Sequence, residues 1–105
     1  MEFLYLTTIG WKSGKPHEIE IWFVERGSMY YVVSEMGRAS HWVQNIIRNP
    51  LVSVKVSGEK AEGTGRLVSR EAEPELTHEV AALMSSKYKW SDGLIVELAP
   101  SRSRP

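Results

Sequence analysis

Cysteine is missing from all 105 residues, which excludes a disulfide framework, thiolate metal sites and thiol catalysis together and fits a reducing compartment. Net charge is missing as well: 13 lysines and arginines balance 13 aspartates and glutamates, so the chain as a whole has no general attraction to nucleic acid or an anionic membrane. No apolar run approaches the roughly 18 to 20 residues a membrane-crossing helix needs, and no signal-peptide pattern stands at the N-terminus. The expectation is a cytoplasmic protein without a membrane span or a nucleic-acid partner. Internal repeats and low-complexity tracts are absent, and the length accommodates a single hydrophobic core. The three histidines, His17, His41 and His78, share no metal-ligand spacing on one element, so no metal site is expected. No G-x-S-x-G elbow supports a hydrolytic triad, so no side chain is assigned as catalytic.

What is present is a balance of charge that is locally uneven. Between Glu35 and Glu59 the chain carries Arg38, His41, Arg48 and Lys55 with no acid, and residues 10–17 carry Lys12 and Lys15 with none. Residues 3–8 form a β-branched and aromatic run, and residues 17–25 alternate, with Ile19, Ile21 and Phe23 opposite Glu18, Glu20 and Trp22; both read as strands. The glycine-containing turn at residues 26–28 leads into a third strand over 29–34, so the second and third strands should form a hairpin.

Between residues 38 and 48 the apolar positions Ala39, Trp42, Val43, Ile46 and Ile47 have the spacing of one helical face, which Asn49 and Pro50 terminate. Residues 51–57 and 60–69 read as two further strands around Gly58. Ala61, Gly63 and Gly65 share a face of the second, where the strand bends or another group approaches closely. Pro74 opens a second helix with Leu76, Val80, Leu83, Met84 and Tyr88 as its stripe, ending near Lys87. A last strand covers 94–98. The order is β-β-β-α-β-β-α-β, and six short antiparallel strands with only two helices to cover them are expected to close into a barrel. The domain is expected to span residues 1–99, with a disordered tail at 100–105.

The loop after the first strand is the strongest candidate site on composition. Gly10 and Gly14 allow backbone N–H groups to turn toward a ligand, while Lys12, Ser13 and Lys15 add charge and hydroxyl donors, a combination suited to phosphate. Trp42 on its own fits a packing stripe.

Taken jointly, three blocks carry a resemblance. They are Leu6-Thr7-Thr8-Ile9-Gly10-Trp11-Lys12-Ser13-Gly14-Lys15-Pro16-His17, then Ile21-Trp22-Phe23, then Ser40-His41-Trp42-Val43-Gln44-Asn45 closing on Arg48-Asn49-Pro50. With Ser86-Lys87-Tyr88 before the last strand, the chain resembles the deazaflavin (F420)-dependent nitroreductase and quinone reductase family of the FMN-binding split β-barrel superfamily, over nearly its whole length.

The resemblance implies a six-stranded split β-barrel and a homodimer with F420, or alternatively FMN, at the subunit interface. It implies hydride transfer to a small organic acceptor such as a quinone, nitro compound or enone. Lys12, Ser13 and Gly14 would meet the cofactor phosphate, with His17 beside it. Ile19, Glu20, Ile21 and Trp22 would run along the ring system. Ser34 and the turn at Gly37 and Arg38 would approach the ring or tail, and Trp42 would wall the pocket. The family usually has arginine where this chain has Trp11, and FMN, with fewer negative charges, suits that change better than F420. A non-catalytic flavin- or haem-binding module is the reading from another class.

Overall fold

The computed structural model describes residues 3–89 and 93–101. Strand β1 (Leu4–Ile9) turns Leu4, Leu6 and Thr8 inward and Tyr5 outward, the alternation of a strand with one face in the core. It is followed by β2 (Pro16–Ile21), β3 (Val24–Arg26) and β4 (Met29–Ser34). A 3-10 turn at Gly37–Ala39 leads into α1 (His41–Arg48), and β5 (Leu51–Val56), β6 (Glu59–Leu67), α2 (Pro74–Tyr88) and β7 (Leu94–Pro100) complete the order. All pairings are antiparallel, in one sheet of order β2-β1-β5-β6-β7-β4-β3. Its two edges, β2 and β3, are consecutive in the chain and are joined through Trp22 and Phe23 rather than by a ladder. The fold is therefore mainly β with two helices, a barrel split along that seam.

The sheet has 7 strands where six were expected, because the single strand expected over 17–25 is two strands. The break has a visible cause in α2. Tyr88 Oη accepts the Phe23 N–H at 3.2 Å and donates to the Phe23 carbonyl at 2.9 Å, and Lys87 Nζ donates to the same carbonyl at 2.9 Å. Backbone groups that would have paired within a sheet are thus satisfied by a helix end. The Trp22 ring lies flat on Tyr88, with centroids 4.5 Å apart and planes 2° from parallel. The expected hairpin survives between β3 and β4, with Arg26 paired to Met29.

Two cores flank the sheet. Inside the barrel, Leu4, Leu6, Phe23, Val32, Val52, Val54, Val96 and Leu98 pack around Val43 and Ile46 of α1, which plugs one end. Outside it, α2 lays Val80, Met84 and Tyr88 over Val24, Tyr31, Val33 and Ile95. β4 is covered on both faces, which explains its unbroken run Tyr30-Tyr31-Val32-Val33. The small face of β6 serves close approach: a Cβ on Gly65 would lie 3.2 Å from Ile46 Cδ1, and one on Gly63 would lie 2.3 Å from the Ala99 carbonyl oxygen.

The helices differ in detail from their sequence patterns. Ser40 is extended, at φ −64° and ψ 137°, so Arg38 and Ala39 belong to the 3-10 turn and α1 starts at His41. Within α1 the buried residues are Val43, Asn45 and Ile46, while Ile47, expected in the core, is 42% exposed. The helix is rotated so that Asn45 faces β1. In α2, Leu83 is likewise exposed, and the helix ends one residue later than expected, at Tyr88. At the C-terminus β7 runs two residues past the expected end of the last strand, to Pro100, and the Ser101 N–H still donates to the Glu62 carbonyl at 2.7 Å. The rest of the expected tail, 102–105, lies outside the described residues. Among the described residues no helix is long and apolar enough to cross a membrane.

Candidate functional site

The segment between β1 and β2 folds as one tight turn. Gly14 N–H donates to the Gly10 carbonyl at 2.8 Å, and Gly10 N–H donates to the Lys15 carbonyl at 2.8 Å. A Cβ at Gly10 would come within 2.6 Å of Ser13 Oγ and 2.8 Å of His17 Nε2, so the missing side chain lets those two groups lie over the turn. Ser13 Oγ accepts the Lys15 N–H at 3.2 Å and stands 3.4 Å from His17 Nε2. Among the described residues the N–H groups of Lys12 and Ser13 make no hydrogen bond. Consecutive unpaired amides in a turn are donors available to an anion.

Asn45 fixes this turn to the barrel. Its side chain is buried, 5% exposed, and both ends are used: Oδ1 accepts the Trp11 N–H at 3.1 Å, and Nδ2 donates to Thr8 Oγ1 at 3.0 Å. The Trp11 ring, held beside α1, has Lys12 Nζ 4.8 Å and the Arg48 guanidinium carbon 5.0 Å from its centroid. The two acid-free stretches of the sequence, 10–17 and 36–58, therefore meet here.

Between them lies a groove of about 960 Å³, bounded by the turn, the first half of β2 and the start of α1. Of the residues expected at a cofactor, Lys12, Ser13, His17, Ile19 and Trp42 line it, with Thr8, Trp11, Ser40, His41, Gln44 and Asn45. Glu18 is the one acid among its lining residues. Gly14 sits in the turn itself. Glu20, Ile21 and Trp22 instead line a neighbouring cavity of about 540 Å³ with Phe3, Val33, Glu35, Met84 and Tyr88. Arg38 lines a third, of about 320 Å³, beside Leu67 to Glu71 and Gly93 to Ile95. Ser34 is buried at 2% exposure; its Oγ donates to the Gly37 carbonyl at 2.8 Å and lies 2.7 Å from Ser40 Oγ. It braces the turn into α1.

Sequence reasoning missed Asn45 and Arg48 as parts of the site. The available signal was an asparagine between two core positions of an amphipathic helix, since a polar group so placed needs a buried partner. Arg48 could be assigned only once the helix and the turn were seen side by side.

No curated protein matches the chain. Among solved structures, the haem-storage protein HutZ from Vibrio cholerae superposes with a TM-score of 0.75 at 20% identity, over 96% of this chain and 82% of its own. An FAD-binding protein from Mesorhizobium loti gives 0.74 at 15% identity, over 97% and 83%. An F420-H2-dependent reductase, FDR-A, gives 0.63 at 26% identity, over 91% and 92%. These likenesses carry the split-barrel fold. The model of the F420H(2)-dependent quinone reductase family matches residues 1–93, and the chain therefore belongs to that family of oxidoreductases.

Proposed function

We propose that the protein takes a hydride from reduced F420 and passes it to a small organic acceptor, a quinone, nitro compound or activated enone. The observation that carries this reading is the groove in which an anion-receiving turn, two lysine and histidine neighbours and the flat wall of Trp42 converge. The donor set fits such a cofactor: ammonium, hydroxyl and amide groups for a phosphate at one end, and an aromatic and aliphatic surface for a ring system at the other. When bound, the reduced deazaflavin supplies the hydride.

The chain's own residues bind, orient and exclude water. Lys12, Ser13 and Gly14 hold the phosphate, with His17 beside it. Ile19 faces the ring, and Glu20 and Ile21 at the end of β2, with Trp22 just after it, extend the site into the neighbouring cavity. Trp42 forms the wall, and Ser34 braces the turn at Gly37 and Arg38 that leads into α1. We assign the working state as a homodimer with the cofactor at the subunit interface, because among the described residues no helix covers the outer face of β2, β1 and β5, which exposes Tyr5 and Leu51. The absence of cysteine fits a cytoplasmic setting.

The test is titration of the purified protein with F420 and, separately, FMN, following absorbance and fluorescence. Saturable F420 binding together with oxidation of reduced F420 by a quinone or nitro acceptor is the expected result. Binding of FMN alone would move the protein to the flavin branch, a reading that Trp11 in place of arginine favours. The likeness to HutZ supports a second reading, a non-catalytic haem- or flavin-binding module. A Soret band on adding haemin, with no turnover of any acceptor, would decide for it. Light scattering that gives a monomer at micromolar concentration would refute the dimer.

A further inference from the structure

Trp11 stands at the rim of the groove, 43% exposed and outside both apolar cores. What it does contact is charge: Lys12 Nζ at 4.8 Å and the Arg48 guanidinium at 5.0 Å from the ring centroid. Among the described residues neither cation has an acidic partner, and Arg48 donates no side-chain hydrogen bond. Two long basic side chains held near one ring, with their N–H groups unspent, are poised for an anion that neither the turn nor the helix supplies.

We propose that Trp11, Lys12 and Arg48 form an anion subsite at the mouth of the groove, which takes a phosphate or carboxylate on the tail of the bound cofactor. The inference rests on the groove being the cofactor site. Trp11 acts as the positioning residue: the negative face of its ring holds a guanidinium that would otherwise sample many rotamers. Arg48 presents a planar fork that matches a carboxylate or phosphate oxygen pair. The chain thus places a guanidinium beside the turn from α1, 37 positions along the sequence (48 minus 11).

The deciding experiment compares dissociation constants for F420 and for the deazaflavin lacking the phosphate and everything beyond it, in wild type, Arg48→Ala, Trp11→Ala and the double variant. FMN and riboflavin serve as a second pair that differs by the phosphate alone. Arg48→Ala should weaken F420 by on the order of tenfold and leave the phosphate-free ligand unchanged. Trp11→Ala should weaken F420 about three- to fivefold, and the double variant should be no weaker than Arg48→Ala, because the ring acts through the guanidinium. Trp11→Arg should recover the loss of Trp11→Ala. A loss confined to FMN over riboflavin would assign the subsite to the phosphate; a loss seen only with F420 would assign it to the tail carboxylates.

The proposal is overturned if Arg48→Ala binds F420 as wild type does, or if both ligands weaken equally. If wild type binds none of these ligands, the reading of the groove as a cofactor site has failed, and inorganic pyrophosphate then decides the subsite alone. A shift of the Trp11 indole N–H resonance with pyrophosphate, lost in Arg48→Ala, sustains it; no shift overturns it.

Discussion

Asn45 is a buried polar residue whose replacement should be costly. It spends both ends of its amide inside the protein, on the Trp11 N–H and on the Thr8 hydroxyl, and Thr8 is 1% exposed. Asn45→Ala removes two hydrogen bonds, each with a net value of about 1 kcal/mol. It also strands the Thr8 hydroxyl without a partner, which adds a desolvation penalty of about 1 kcal/mol or more. The Trp11 N–H belongs to an exposed turn and can exchange its partner for water, so its share of the loss is small.

The expected total is about 2 to 3 kcal/mol, or a melting temperature lower by about 10 °C, measured by urea and thermal unfolding at fixed protein concentration. The same change should release the turn and weaken binding at the groove. A double-mutant cycle isolates the contact, because in a Thr8→Val background both the bond to Asn45 and the stranded hydroxyl are already gone and Asn45→Ala should cost about 2 kcal/mol less. A loss below about 0.5 kcal/mol, or an equal loss in both backgrounds, would refute the assignment of Asn45 as the clasp between turn, strand and helix.

The seam makes a second prediction: Tyr88→Phe leaves the Phe23 N–H without its acceptor and takes one donor from the Phe23 carbonyl, costing about 1 to 3 kcal/mol in the same assay. An unchanged unfolding midpoint would show that the strand break does not depend on that hydroxyl. The third concerns pH. Burial, and then the Glu97 carboxylate that accepts its hydroxyl at 2.7 Å, push the Tyr31 phenol up to about 12 from its ordinary 10.0. A raised folded value means that the neutral phenol stabilises the fold fully below the unfolded value of about 10, and that this contribution disappears as pH rises through about 12. Wild type should therefore lose stability between those values more steeply than Tyr31→Phe; parallel pH profiles would contradict it.

The strand and helix order could be read from the sequence because β1, β5 and most of α2 show their burial as periodicity. The seam could not. Glu18, Glu20 and Trp22 continue their alternation with Ile19, Ile21 and Phe23 straight through the break, and the groups that stop the ladder come from Lys87 and Tyr88 at the other end of the chain. α1 shows a related limit: Ile47 extends the apolar stripe on paper, yet the pairing of Asn45 with Thr8 and Trp11 sets the rotation that leaves Ile47 in solvent.

The site was half legible. The glycines and lysines of residues 10–15 signal an anion turn by composition, and the lack of acids between Glu35 and Glu59 marks the helix that faces it. Their convergence is held by tertiary contacts that no local pattern encodes, from Asn45 to Trp11 and Thr8 and from Arg48 to the Trp11 ring. The resemblance runs Glu20, Ile21 and Trp22 along the ring system beyond the turn, and in the barrel they line a cavity that neighbours the groove.

The sheet order has a consequence for biosynthesis. β7, the last of the described strands in chain order, is an inner strand that pairs with β6 on one side and β4 on the other. Until it emerges, the nascent chain consists of two disconnected sheets, β2-β1-β5-β6 and the β3-β4 hairpin, each with an unpaired edge where β7 belongs. Such edges recruit foreign strands. Closure thus waits for β7, with pairings as distant as Tyr30 with Leu98, and a chain cut short before Leu94 exposes two adhesive edges at once.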